Sequence, residues 1–126
     1  MTKNSQATDV GRLALLVEDD EGVRRSLQLL LHWRGYDVRS YPSAKPLLGS
    51  DQAMGADVLV ADYRLPDGDG IAVLRDLRAR GWSGRSVLIT AFPTPELIRE
   101  AQASGFDAVL EKPLRQQALI AALSAL

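Results

Sequence analysis

The sequence predicts an α/β domain in which strand and helix alternate five times, the strands forming one parallel sheet with helices on both faces. Three observations predict it. The short runs LALLV (Leu13–Val17), DVLVA (Asp57–Ala61) and SVLIT (Ser86–Thr90) are apolar at successive positions, as strands buried on both faces must be. Segments of helical periodicity separate these runs. Glycines and a Thr-Pro step mark where those helices stop and start.

Each element can be justified in order. LALLV is the first strand. Val23, Leu27, Leu30 and Leu31 stripe the first helix, and Gly35 ends it in the left-handed conformation. YDVRSY (Tyr36–Tyr41) is more polar and alternating, which suits an edge strand. In PSAKPLLGS, Pro46 limits any helix to a short piece. DVLVA follows, with Asp62 at the strand end. Ile71, Leu74 and Leu77 stripe the next helix toward Gly81, and Trp82 packs at the turn. After SVLIT, Thr94 is an N-cap and Pro95 the first residue of a helix running through Leu97, Ile98 and Ala101 to Gly105. FDAVLE (Phe106–Glu111) is the other edge, and Leu119, Leu123 and Leu126 stripe the last helix.

The 126 residues suit one domain, expected over residues 12–126 behind a flexible polar lead-in at residues 1–11. Cysteine is absent, which excludes a disulfide framework, a thiolate metal site and a cysteine nucleophile. Fifteen basic and sixteen acidic residues leave a formal charge of −1, so no basic face for nucleic acid is signalled. Arg24 and Arg25 read as a solvated helix face. No apolar run approaches the ~20 residues of a membrane span. A cytoplasmic location is the expectation.

In open α/β sheets, ligands bind beyond the carboxyl ends of the strands. The first strand runs into Glu18-Asp19-Asp20, the third ends at Asp62, the fourth at Thr90 and the fifth at Glu111-Lys112-Pro113. Carboxylates, a hydroxyl and an ammonium therefore converge on one edge. Carboxylates held close repel one another and bind a hard cation, and oxygen donors suit Mg²⁺. A lysine and a hydroxyl opposite that cation leave a slot for a phosphoryl group, and the set describes phosphoryl transfer to a carboxylate.

Four motifs carry a family resemblance: LLVEDDEGVRRSL (Leu15–Leu27), LVADYRLPDGDGIAVL (Leu59–Leu74), VLITA (Val87–Ala91) and EKPL (Glu111–Leu114). In this order, each at the end of a predicted strand, they closely resemble the receiver domain of two-component response regulators. The resemblance covers Arg12 to Leu126. It implies a flavodoxin-like fold with strand order 2-1-3-4-5. It implies that Asp62 is the phosphoacceptor, charged from a phosphohistidine on a sensor histidine kinase or phosphotransfer protein. Asp19 would ligate Mg²⁺ directly, Glu18 through a metal-bound water, and the backbone carbonyl of Arg64 would complete the shell. Lys112 would pair with a phosphoryl oxygen, Thr90 would hydrogen-bond another once Asp62 is modified, and the Ala91 amide would assist. The Lys112–Pro113 bond is expected to be cis.

Such a domain catalyses only its own phosphorylation and dephosphorylation. It controls an output domain or a partner protein, contacts neither nucleic acid nor membrane itself, and is compatible with a homodimer. The absence of an output domain, and an end at Leu126 without a polar finish, favour a piece of a longer regulator over a stand-alone receiver. Three departures from the family pattern stand out. Val109 occupies the position where the family commonly has a switching Tyr or Phe. Pro93 and Pro95 stiffen the loop after Thr90. Phe92 and Arg64 hold the two variable positions flanking the phosphoryl slot, where a ring and a long cation are expected to hinder water and lengthen the acyl-phosphate lifetime.

Other readings compete. Asp20 and Asp69 read best as helix N-caps and Asp67 as part of a Pro-Asp-Gly turn. A calcium loop opening at Asp67 would place Arg78 where its closing glutamate belongs. His32 reads as a packed or partly exposed helix residue and not a phosphodonor. The alternative function is an unphosphorylated pseudo-receiver, an interaction module on the same fold. A flavin- or nucleotide-binding protein is disfavoured, because VEDDEGV offers carboxylates where a phosphate loop would sit.

Overall fold

The computed structural model describes residues 11–124; the expected lead-in before Gly11, and Leu126, lie outside that range. The elements are β1 (Leu13–Val17), α1 (Glu21–Trp33), β2 (Asp37–Tyr41), α2 (Ala44–Leu48), a 3₁₀ turn (Ala53–Gly55) and β3 (Val58–Asp62). A two-residue ribbon follows, β4 (Arg64–Leu65) with β5 (Gly68–Asp69), and then α3 (Gly70–Ala79), β6 (Arg85–Thr90), α4 (Pro95–Ser104), β7 (Ala108–Glu111) and α5 (Gln116–Ser124). The five long strands pair in parallel in the order β2-β1-β3-β6-β7, which is 2-1-3-4-5 when the antiparallel ribbon is left out of the numbering. This is the expected flavodoxin-like, doubly wound sheet.

Alternation along the strands divides the core into two layers. Leu15, Val17, Leu59, Ala61 and Leu88 join Leu47, Leu74, Leu77 and Leu97 under α2, α3 and α4. Ala14, Leu16, Val58, Val60, Val87 and Ile89 join Leu27, Leu31 and Leu119 under α1 and α5. Continuous burial on both faces is why β1, β3 and β6 read as unbroken apolar runs.

Helix ends account for most differences from the expected boundaries. α1, α3 and α4 each finish on a glycine in the left-handed region, Gly35 (φ 97°), Gly81 (φ 99°) and Gly105 (φ 108°), followed by an aromatic residue. The backbone N–H groups of Tyr36, Trp82 and Phe106 donate back to the carbonyls of Leu31, Leu77 and Ala101, five residues earlier. Tyr36 and Phe106 thus close helices, and β2 and β7 begin later than expected, at Asp37 and Ala108. β3 likewise begins at Val58, and the Asp57 carboxylate before it accepts from Leu13 N–H at 2.8 Å. The ribbon and the 3₁₀ turn were not anticipated, since pieces of two or three residues carry no periodicity.

At their N-termini, α1, α3 and α4 are capped as expected. Asp20, Asp69 and Thr94 accept from the N–H groups of Val23, Ala72 and Leu97, and Pro95 opens α4. Asp67 does more than turn the chain. Its two carboxylate oxygens accept from the N–H groups of Ala44 and Lys45 at 2.8 and 2.9 Å, capping α2 from a distant loop. These bonds hold its carboxyl below the usual aspartate range.

Candidate functional site

Because all five long strands run the same way, their carboxyl ends share one edge, and adjacent β1, β3 and β6 bring their last residues together. Asp62 is the final residue of β3 and is 5 % exposed. Glu18 follows the last residue of β1 and is 1 % exposed. Its N–H donates to the Tyr41 carbonyl at the end of β2, and one carboxylate oxygen accepts from Asp20 N–H at 3.0 Å. Asp19, next in the chain, is exposed.

Lys112 enters from the end of β7, after which its peptide bond to Pro113 is cis, as expected. Its backbone N–H donates to the Thr90 carbonyl at 2.9 Å, tying the ends of β6 and β7 together. The ammonium Nζ lies 3.0 Å from Glu18 Oε1 and 3.1 Å from Asp62 Oδ2. One cation is therefore shared between two buried carboxylates. Burial pulls the ammonium toward neutrality, but the Glu18 and Asp62 carboxylates beside it outweigh burial and hold its pKa above the ordinary lysine value. For Glu18, burial dominates, and with the Asp62 charge it pushes the carboxyl up to about 7 against the Asp20 N–H and the Lys112 ammonium.

One lysine does not balance three carboxylates. Carboxylate oxygens of Glu18, Asp19 and Asp62 lie within 4.8 Å of one another. Glu18 Oε1 is buried and close to Nζ, yet receives no well-aligned hydrogen bond. A hard divalent cation fits this donor set: all-oxygen ligands, excess negative charge and one buried oxygen short of a partner.

The remaining expected residues stand around this centre. Thr90, the buried end of β6, points its hydroxyl at the following loop, where Oγ1 accepts from Phe92 N–H at 3.3 Å. Arg64 lies in the ribbon two residues beyond Asp62, with an exposed side chain. The Phe92 ring is 72 % exposed. Val109 is half-buried against the α2–α3–α4 core layer. Asp67 and Asp69, capping α2 and α3, have no part in the cluster. His32 is exposed on α1 with its ring against Trp33. Trp82 is buried as expected, its indole N–H donating to the Ala56 carbonyl at 2.8 Å.

Two residues near the centre carried no distinct signal in the sequence. Gly70 opens α3 so close to β3 that an added Cβ would lie 2.5 Å from the Asp62 carbonyl oxygen and 2.9 Å from Leu88 Cδ1. Its position directly after an N-cap aspartate was the only available clue. Arg24 is half-buried and does not simply point into solvent: Nη1 donates to the Glu18 carbonyl at 2.8 Å. Arg25 is exposed, as expected.

Comparison with known proteins agrees with this geometry. The family described as response regulator receiver domain matches residues 14–124. The transcriptional regulatory protein FixJ of Azorhizobium caulinodans is 34 % identical over 110 residues, 87 % of this chain and 52 % of that protein. TdiR of Thauera aromatica, also a transcriptional regulatory protein, is 31 % identical over 122 residues, 95 % of this chain and 54 % of that one. The chain thus spans about half the length of these relatives. Among solved structures, FixJ-N superposes with a TM-score of 0.77 at 32 % identity, covering 89 % of this chain and 90 % of that one. The Vibrio cholerae chemotaxis protein CheY4 shares the fold, with a TM-score of 0.82 at 24 % identity over 89 % of this chain and 95 % of that one.

Proposed function

The chain belongs to the response regulator receiver domain family, and from that premise we propose that Asp62 accepts a phosphoryl group in a Mg²⁺-dependent reaction that the domain catalyses on itself. The observation that carries this reading is the Lys112 ammonium shared between buried Glu18 and Asp62 at the ends of neighbouring strands. A carboxylate oxygen of Asp62 attacks phosphorus while the P–N bond of a donor phosphohistidine breaks. Imidazole leaves with that electron pair and takes a proton from solvent. Hydrolysis of the aspartyl phosphate later returns the carboxylate and inorganic phosphate.

Glu18, Asp19, Asp62 and the backbone carbonyl of Arg64 are the groups that would hold Mg²⁺, which when bound supplies positive charge against the phosphoryl oxygens. Lys112, part-buried beside Asp62, neutralises a further oxygen from a position the fold already sets. After transfer, the Thr90 hydroxyl leaves Phe92 N–H for a phosphoryl oxygen, assisted by the Ala91 amide, and the loop to Thr94 rearranges. Val109 is half-buried against the core and carries no ring to rotate, so the signal passes through this loop. The donor is a sensor histidine kinase or a histidine phosphotransfer protein in the cytoplasm, and the recipient of the signal is an output domain or partner protein. Among the described residues, no helix is long and apolar enough to cross a membrane.

The test is incubation with acetyl phosphate or phosphoramidate and Mg²⁺, followed by intact mass. A single phosphoryl adduct in wild type that is lost in Asp62→Asn supports the proposal. Absence of an adduct in wild type overturns it and leaves an unphosphorylated interaction module.

A further inference from the structure

Glu18 lies one residue beyond the last paired position of β1, where Val17 stands opposite Tyr41 and Ala61. Its N–H is held by the Tyr41 carbonyl, but its own carbonyl has passed the end of the sheet ladder and needs another donor. Arg24 supplies it. From the first turns of α1 its side chain folds back, Nη1 donating to the Glu18 carbonyl at 2.8 Å with a longer contact to the Asp19 carbonyl at 3.4 Å. The backbone of Arg24 is fixed in turn by its N–H on the Asp20 carbonyl. We infer that Arg24 is a positioning residue for the acidic cluster, clamping the main chain that presents Glu18 and Asp19 to a divalent cation.

The choice of acceptor matters. A guanidinium paired with the carboxylates would compete with a cation for the same oxygens. Bound to main-chain carbonyls, it restrains the backbone that carries both side chains and does not itself occupy their carboxylate oxygens. Asp19 is the ligand that most needs this help, because it is exposed and no strand holds it. Partners of this kind, one step removed from the ligands, typically change metal affinity about 10–100-fold when lost. Arg24 is only half-buried, which places the expectation at the lower limit.

The inference rests on the proposed receiver chemistry, and the experiment separates the two. Mg²⁺ binding to wild type, Arg24→Met and Arg24→Lys is measured by calorimetry, alongside thermal melts and phosphoramidate-driven phosphorylation across a Mg²⁺ titration. Met keeps the helix propensity and the bulk of the stem but has no donor; Lys keeps a cationic nitrogen that can donate. Arg24→Met should weaken Mg²⁺ binding about tenfold and raise half-saturating Mg²⁺ to match, with the rate at saturating Mg²⁺ within about threefold of wild type. Arg24→Lys should recover most of the affinity. Unchanged or tighter Mg²⁺ binding in Arg24→Met overturns the inference, tighter binding marking Arg24 as a repelling charge only. Collapse of the fold in both variants also overturns it, since Arg24 would then serve general stability. A wild type that binds Mg²⁺ but takes up no phosphoryl group defeats the receiver reading and leaves the clamp to be judged on Mg²⁺ affinity alone.

Discussion

At the amino end of the sheet, the Asp57 carboxylate accepts from Leu13 N–H and Asp107 from Ser86 N–H, each at 2.8 Å. The Arg78 guanidinium there reaches the carbonyls of Trp82 and Gly105, both at 3.1 Å, and lies 4.9 Å over the Trp82 ring. At the carboxyl end, Glu18, Asp19 and Asp62 crowd together around one ammonium, and Glu18 is pushed up to about 7, burial being the largest cause. The two edges use similar residue types. One commits its charges to strand and helix ends; the other is left with three carboxylates around one ammonium. Hydrogen-bonded charges at the first edge stabilise the fold, and the surplus negative charge at the second is what a cation can offset.

The most direct way to break this comparison is Asp62→Asn, which should abolish phosphoryl uptake by intact mass while the protein stays folded. The complementary change is Arg78→Ala at the opposite edge. Losing two charge-assisted hydrogen bonds and the ring contact should cost about 2–4 kcal/mol in urea unfolding, with the initial phosphorylation rate within about twofold of wild type. If Arg78→Ala impaired phosphorylation more than stability, the division of labour between the edges would fail.

Gly70→Ala tests how closely the fold abuts the site. The new methyl must displace the Asp62 main chain or Leu88, so phosphorylation should slow about tenfold for a stability loss of about 1–3 kcal/mol. An unchanged rate would show that Asp62 tolerates movement of its strand end.

Titration sharpens the contrast further. In metal-free protein, folded Glu18 keeps a proton that the unfolded chain releases near pH 4.5, up to its folded value of about 7. More protons are bound by the folded state within that window, so stability falls as pH rises through it and levels off above it. Glu18→Gln should remove this slope, worth up to about 3 kcal/mol, from urea unfolding compared at about pH 5 and about pH 8. The smallest effect is expected at the entrance: Phe92→Ala with Arg64→Ala should shorten the aspartyl-phosphate lifetime a few-fold, on the order of 1 kcal/mol in barrier. No faster loss of phosphate in the double variant would remove any shielding role for these side chains.

The comparison also shows why some features were legible and others were not. Asp20, Asp69 and Thr94 act on N–H groups three residues ahead, so their capping roles follow from local spacing. The cis Lys112–Pro113 bond and the order of the strands followed from resemblance to a family. Tyr36 and Phe106 look like strand residues by composition, yet their N–H groups close the preceding helices. Arg24 resembles any exposed helix arginine until the Glu18 carbonyl is placed beside it. Asp67 resembles a turn residue until α2 arrives to be capped.

The sequence by itself determined the alternation of strand and helix, the caps, and the fact that Asp62, Glu18, Thr90 and Lys112 stand at or just beyond strand ends. Those properties rest on periodicity and on hydrogen bonds spanning a few residues, and a linear chain displays both. Tertiary structure alone decided that Lys112 divides its charge between Glu18 and Asp62, that Arg24 holds the acidic loop and that Gly70 abuts Asp62. Each depends on strand register and on the distance between layers, which packing sets once the sheet has assembled.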